Sequence, residues 1–466
     1  MPPFSADCER VEAERTSHEV VAAQTRRGWI ALHAPGARVL GYHAGSMCLY
    51  AEGPAMTRVL FGQGYDAILR QAYDDDRRRH PRGPGMTVEA AAELAACALL
   101  RHHYRRDAAV LVETVAFAPP HEVRDRMHVA WLSGAPAAYA LLAHGVARGN
   151  AIAAEAGRAV LDHIARGLAP CGAFWGQWTP EGWRGGWNGR SERLQARTAA
   201  EATLFMLRAT QIEARTSWRR AVESNLDFAL RSQSEDGDFA AYFDACTGEA
   251  DGRAGSAGLA WIPALLEAGG SDRLEAAVRA GSYYERFLLG EQLQGAPEDV
   301  QGEPTSEDGY LALMAYVSLW ERTGAPKWLD LARRAAEWSF RFRWSYNVEF
   351  PAHTTLHEKG FRTRGADLAS VTNEHLHAYG LVCLPELLRI WTHTGDEYFL
   401  DRARDNLACF LQDLGTPDGM LTERYYHASR YGPKGEILPV SHAWCLGLLL
   451  HACTQAVAWR EELALP

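Results

Sequence analysis

The sequence predicts an all-α fold, an (α/α)6 barrel of six helical hairpins behind a small N-terminal segment that is strand-containing or irregular. Three observations predict it. From about residue 87 onward, segments apolar nearly all round alternate with amphipathic ones. The turns joining an apolar segment to the amphipathic one after it are short, as in "RTGAPKW" and "HTGDEYF", whereas the connections that follow are long. The two ends of the series each lack a partner, so pairing them closes a ring.

Residues 1–86 stand apart. The stretch "GWIALHAPGARVLGYHAGSMCLYAE" has short apolar runs broken by Gly and Pro, which favours a few strands or irregular chain. "YDDDRRRHPRGPG" (73–85) reads as a solvated linker, although its aspartates have the look of a metal motif. The barrel is then expected over 87–466. Its apolar segments are 135–147, 198–210, 254–269, 308–320, 374–388 and 441–453. Segments of this kind are buried, and striped segments lie outside them. The striped partners are 151–167, 217–232, 271–290, 327–342 and 397–414. The last apolar segment has no striped successor, and 87–104 has no apolar predecessor. The repeat, roughly 50–70 residues, is longer than that of the common helical solenoids. Long loops after the outer helices place a cleft at the N-terminal ends of the inner ones.

Composition narrows the functions. The chain has 466 residues, 47% hydrophobic and 23% charged, with a formal net charge of -10. Nucleic acid and anionic membrane both call for a basic surface, so neither is expected as a partner. Nine scattered cysteines without CxxC spacing read as reduced thiols. The start has no apolar signal core, and no run approaches the roughly 20 apolar residues of a membrane span. A cytoplasmic protein is the expectation, and a homo-oligomer is compatible with it. There is no HExxH, Walker loop, GxGxxG after a strand or GxSxG, so no metal and no cofactor is expected.

Residues 87–460 resemble the six-hairpin glycosidase superfamily. The resemblance rests on the "TGxxx(W/F)L" turns, the "DGDF" and "DGML" turns (Asp236–Phe239 and Asp418–Leu421) and the loop "GAFWGQWTPEGWRGGWNGR". It implies the toroid and carboxylates on different hairpin loops that hydrolyse a glycosidic bond.

The stretch "PEDVQGEPTSEDGY" (297–310) supplies five acids at the start of an apolar helix. Within it "TSED" is a capping box, Thr305 capping and Asp308 reaching back, which by itself accounts for Asp308. Glu307 gains from the helix dipole. A solvated acidic loop would account for the acids before the helix. The catalytic reading takes Glu303 or Asp308 as the acid that protonates the leaving oxygen and Glu374, in "VTNEHLHAYG", as the base that activates water. Glu374 also suits a helix start capped by Thr372 or Asn373. Asp125, Glu181, Asp367 and Glu423 are weaker alternatives.

Aromatic and polar residues on the same loops are candidate sugar contacts: Trp178, Trp187, Arg190, Trp344 and Tyr425. Ordinary packing of long loops explains them as readily. Arg364, in "GFRTRGAD", would clamp a uronic acid, or else sit in a salt-bridged loop. His375 and His442 join the candidate substrate-binding set. His375 and His377, two apart, do not share a helix face. The leading expectation is a glycoside hydrolase acting on short oligosaccharides, with uronic acids among the sugars it would accept. Three alternatives stand beside it: an epimerase or isomerase using His375 and His442, a polysaccharide lyase using Tyr425, His427 and Arg430, and a non-catalytic carbohydrate-binding protein.

Overall fold

The structure, a computed structural model, describes residues 10–12, 15–43, 46–50, 57–116, 124–131, 133–186, 192–253, 255–300, 302–370, 372–412, 419–428 and 432–463. The chain opens with six short strands: β1 Arg10–Glu12, β2 Val20–Thr25, β3 Gly28–His33, β4 Val39–His43, β5 Ser46–Tyr50 and β6 Arg58–Gly62. They form two antiparallel three-stranded sheets, in the orders β1-β4-β5 and β2-β3-β6. Helix α1 (Tyr65–Arg79) lays Ile68 and Ala72 against Val20 and Ala31 of the second sheet. The stretch expected as a linker is therefore helical through Arg79. Asp76 on it is fully buried, accepting from Ser345 and His33, which is why a run of aspartates there is not solvated.

The toroid follows. Its helices are α2 (Val88–Ala98), α3 (Gly134–Arg148), α4 (Ala151–Arg166), α5 (Ala196–Ile212), α6 (Thr216–Ser232), α7 (Trp261–Ala268), α8 (Ser271–Leu289), α9 (Ser306–Thr323), α10 (Pro326–Phe340), the single turn α11 (Thr355–Glu358), α12 (Leu384–Thr394), α13 (Glu397–Phe410) and α14 (Ala443–Ala456). The inner ring runs α3, α5, α7, α9, α12, α14 and back to α3, each packed on the next. Outside it, α4, α6, α8, α10 and α13 each back the inner helix before them, and α2 backs α14. The two unpaired ends of the repeat thus meet, as the sequence pattern requires. Among the described residues, no helix is long and apolar enough to cross a membrane.

The short inner-to-outer turns have a local cause. Gly324 and Gly395 take left-handed φ values of +67° and +68°, and each donates to a carbonyl one turn back, of Trp320 and Trp391, at 2.7 Å. Glycine adopts that geometry without a Cβ penalty, so the helix stops and reverses at once. Two inner helices start later than their apolar runs. Over 254–269, a 3-10 turn (Ala257–Ala260) precedes α7. Over 374–388, a two-residue strand (Leu376–His377) and a 3-10 turn (Tyr379–Cys383) precede α12.

The N-terminal sheets are fastened to the loops after α10. Ser345 donates its backbone N–H to the Ser17 carbonyl at 2.9 Å, Tyr346 its hydroxyl to Thr16 at 3.1 Å, and Arg341 grips Asp66 with two bonds of 2.9 Å. A buried ionic knot lies nearby. Asp405 of α13 accepts from Arg364 (2.8 and 3.0 Å), Arg82 (2.7 Å) and Tyr73 (2.7 Å). Burial pushes the Asp405 carboxyl up, but Arg364, Arg82 and Arg402 outweigh it and hold the pKa below the usual carboxylate range.

Candidate active site

A cavity with an empty volume of about 870 Å³, partly open to solvent, sits at the N-terminal ends of the inner helices. Its walls come from the starts of four inner helices, α3, α9, α12 and α14. Trp131 and Ser133 precede α3, Thr305 and Glu307 open α9, the segment Asn373–Tyr379 precedes α12, and Trp444 opens α14. Short ladders stitch these loops together. Strand Val440–His442 pairs antiparallel with Thr114–Ala116, and Asp367–Leu368 pairs with Leu376–His377. Because residues 375 and 377 flank a strand position, not a helical one, both imidazoles face the same way. Both line the cavity, with ring centroids 5.8 Å apart.

Four histidines can be given protonation patterns from their partners. His377 accepts the Tyr379 N–H on Nδ1 (3.2 Å), so its Nε2 carries the proton, donated to Ser306 at 3.0 Å. His442 accepts the Glu423 N–H on Nδ1 (3.2 Å) and turns Nε2–H toward the Glu423 carboxylate, 3.7 Å away. His128 accepts the Ala130 N–H on Nδ1 (3.3 Å); its Nε2–H is buried and has no protein partner. His375 directs Nδ1–H at the Asn373 side-chain oxygen (3.1 Å), which leaves the lone pair on Nε2. Burial lowers all four pKa values, those of His128 and His442 to about 3, His377 to about 4 and His375 well below the ordinary value. All are neutral at pH 7.

Four carboxylates line the same space: Glu113, Asp299, Glu307 and Glu423. Glu113 accepts from Arg124 (2.9 Å) and Arg126 (3.1 Å). Glu423 accepts from Arg424 at 3.0 Å. Glu307 pairs with Arg197, whose guanidinium lies over the rings of Trp131 and Tyr379 at 5.3 and 5.5 Å. Burial raises the Glu307 carboxyl to about 7 against the pull of Arg197. The Asp299 carboxyl is raised as well, by the enclosing protein and by the charge on Glu423. Trp131, at φ +50°, holds a left-handed conformation that few non-glycine residues adopt, and it does so at the cavity wall.

The three acids expected from sequence do not line the cavity. Asp308 is buried under it, its carboxylate filled by the Ala296 N–H (2.8 Å) and the Thr305 N–H (2.9 Å) and hydroxyl (2.7 Å). The capping box is present with Thr305 and Asp308 in the expected roles. Glu374 is buried and gripped by Arg15 from the N-terminal segment through Nε and Nη2. Glu303 accepts from Ser370 (3.1 Å) and Thr372.

Of the expected sugar contacts, His375 lines the cavity and His442 touches it through Glu423. Three are corrected, because their side chains have no accessible face. Trp344 is fully buried against His427, Tyr425 is buried with its ring stacked on Phe361, and Arg364 belongs to the Asp405 knot. Trp178 packs edge-on against His163 of outer helix α4, away from the cleft. Trp187 and Arg190 lie outside the described residues. The lyase set does not assemble at the cavity either, since Tyr425 and His427 are both core residues, while Arg430 lies outside the described residues.

Among the described residues, ligand-type atoms converge at one further place. Glu19, His33 and Asp76 bring such atoms within 4.8 Å of one another in the N-terminal sheets. Asp76 there is already shared by His33, Arg79 and Ser345, and Glu19 accepts from the Gly36 N–H at 2.7 Å. It reads as a buried hydrogen-bond network.

No protein-family model matches the chain, and no curated protein does. Solved structures do match. A D-mannose isomerase aligns with a TM-score of 0.58 at 10% identity, over 80% of this chain and 97% of that one. A cellobiose 2-epimerase from Spirochaeta thermophila gives 0.56 at 10% identity, over 80% and 98%. A GH76 alpha-mannanase from Bacteroides thetaiotaomicron gives 0.55 at 11% identity, over 81% and 98%. Hydrolases and isomerising enzymes alike are built on this scaffold, and at such identity the likeness is one of fold. The chain has the (α/α)6-barrel fold that these enzymes share.

Proposed function

We propose that the cavity binds a free sugar and moves a proton at the carbon beside its carbonyl, as an isomerase or 2-epimerase does. The observation that carries this is the complementary pair His375 and His128. Both side chains line the cavity; one keeps an imidazole lone pair on Nε2, the other a buried N–H without a protein partner, and both are neutral at pH 7. His375 Nε2 takes the proton from C2 of the open-chain aldose. The C2–H electron pair moves into a C1–C2 double bond, and the carbonyl oxygen gains negative charge. His128 Nε2–H donates to that oxygen; a neutral imidazole is a recognised electrophile for an enolising carbonyl. Returning the proton to C1, while the proton of the C2 hydroxyl passes to the C1 oxygen, yields the ketose; returning it to the other face of C2 yields the epimer. The isomerase and epimerase among the fold's neighbours give this chemistry a precedent on the same scaffold.

The test is proton NMR of an aldose panel in deuterium oxide, including mannose, glucose and cellobiose. Deuterium should appear at C2 of the recovered aldose or its epimer, or at C1 of the ketose, without release of a second sugar. His375→Asn should lower the rate by about 10²–10⁴-fold, the range for removal of a general base. Glycoside cleavage with no deuterium incorporation would overturn the reading.

A second reading, the hydrolase expected from sequence, is favoured by Glu307, a cavity carboxyl still half-protonated near pH 7. In it Glu307 takes the acid role expected of Glu303 or Asp308, and Asp299 that of Glu374. Release of nitrophenol from aryl glycosides, abolished by Glu307→Gln, would support it over the first.

A further inference from the structure

The acidic stretch 297–310 is only partly absorbed by the reading above. Asp308 caps α9 and Glu307 faces Arg197, but Asp299 has neither duty. It lines the cavity, is open to the space within it, and forms no ion pair with any described arginine, lysine or histidine. Among the described residues, every guanidinium at the cavity is already engaged: Arg124 and Arg126 on Glu113, Arg197 on Glu307, and Arg424 on Glu423. An anionic sugar would meet no uncommitted cation among the described residues and would face Asp299 and Glu423 together. A cationic one would meet an accessible carboxylate.

The site is aimed at a ligand by a second feature. The Nε2–H of His128, a side chain 2% exposed, has no partner in the protein and lies on the same wall set. It calls for an oxygen acceptor, while Asp299 calls for a donor or cation. A polyhydroxylated ring with one ammonium group satisfies both.

We propose that the cavity selects a sugar carrying a protonated amine, with Asp299 as the ammonium's partner. This rests on the reading of the cavity as a sugar site, and it specifies the class of sugar. Sugar acids and sugar phosphates are excluded by the same charges.

Binding is separated from turnover by titration calorimetry on the full chain carrying His375→Asn. Glucosamine, glucose, N-acetylglucosamine and glucuronate serve as probes. Glucosamine should bind roughly two- to fivefold tighter than glucose, as one accessible charge pair gives. N-acetylglucosamine, which has the nitrogen without its charge, should bind like glucose, and glucuronate most weakly. With Asp299→Asn added, glucosamine should fall to parity with glucose and glucuronate should gain. The preference should also shrink as salt rises from 50 to about 500 mM. Glucose binding as tightly as glucosamine, glucuronate binding tightest, a preference that survives Asp299→Asn, or no binding of any probe would each overturn the proposal. Failure of deuterium incorporation in the wild type would overturn the isomerase reading and leave this binding order standing.

Discussion

Glu19 shows how a single side chain sets a pH dependence. It is 5% exposed, and burial raises its carboxyl to about 7. A carboxyl whose folded pKa exceeds the unfolded value favours folding fully below the unfolded pKa. That contribution is lost as pH rises through the folded one. Between roughly pH 4.5 and 7 the protein therefore forfeits stability at this position. Glu19→Gln keeps an acceptor for the Gly36 N–H and removes the titration. Melting curves should show the variant more stable than wild type at pH 8, by on the order of 1–3 kcal/mol, and little changed at pH 4.5. Single residues were the least legible part of the sequence. His375 stands among polar loop residues and could be picked out. His128, in "MHVAW", has no partner in sequence to mark it, because its place in the cavity wall comes from the two-residue strand Met127–His128, paired with Gln177–Trp178. Trp344, Tyr425 and Arg364 mislead for the converse reason. Composition says that a loop is aromatic or basic, and only packing says whether its side chains turn out to the cleft or back into the core.

The segment before α12 is where element-level physics matters most. The strand Leu376–His377 hangs on Asp367, which is held by Arg343 through bonds of 2.8 and 3.2 Å, both side chains fully buried. Gly380 lies directly against this pair. A Cβ there would come within 2.1 Å of the Asp367 carboxylate and 2.2 Å of the Arg343 guanidinium. Gly380→Ala should part the pair and cost about 3–5 kcal/mol, the penalty for breaking a buried ion pair, read by urea unfolding. A milder case is Thr305→Ala, which removes the cap of α9 and should cost about 1 kcal/mol with the fold intact. The cap was legible because its signature is local, three residues apart. The late start of α12 was not. "EHLHAYGLVCLPELL" is apolar throughout, and apolarity alone does not separate a buried helix from a buried strand and 3-10 turn. That same irregularity brings His375 and His377 to one side.

At the scale of the molecule, the ring was legible because alternation, turn chemistry and unpaired ends all point to closure. The docking of the N-terminal sheets was not, since it depends on single long-range contacts such as Arg15 to Glu374 and Tyr73 to Asp405. The Asp405 knot makes that docking sensitive to acid. Its carboxyl is held low by Arg364, Arg82 and Arg402, so its stabilising share is present above the unfolded carboxylate pKa and is lost as pH falls through the depressed one. Asp405→Asn should therefore be destabilising at pH 7. The gap to wild type in thermal unfolding should narrow as the medium is taken well below the ordinary carboxylate range.

The seam between α2 and α14 joins stretches more than three hundred positions apart, and α3 rests on both. During synthesis the first-made hairpins must wait with their inner faces uncovered until the last helix leaves the ribosome. Contacts of such separation form late and slowly. Nascent chains arrested before α14 should accordingly hold chaperones and resist native-like compaction, whereas release of the full length should trigger locking of the whole torus in one step.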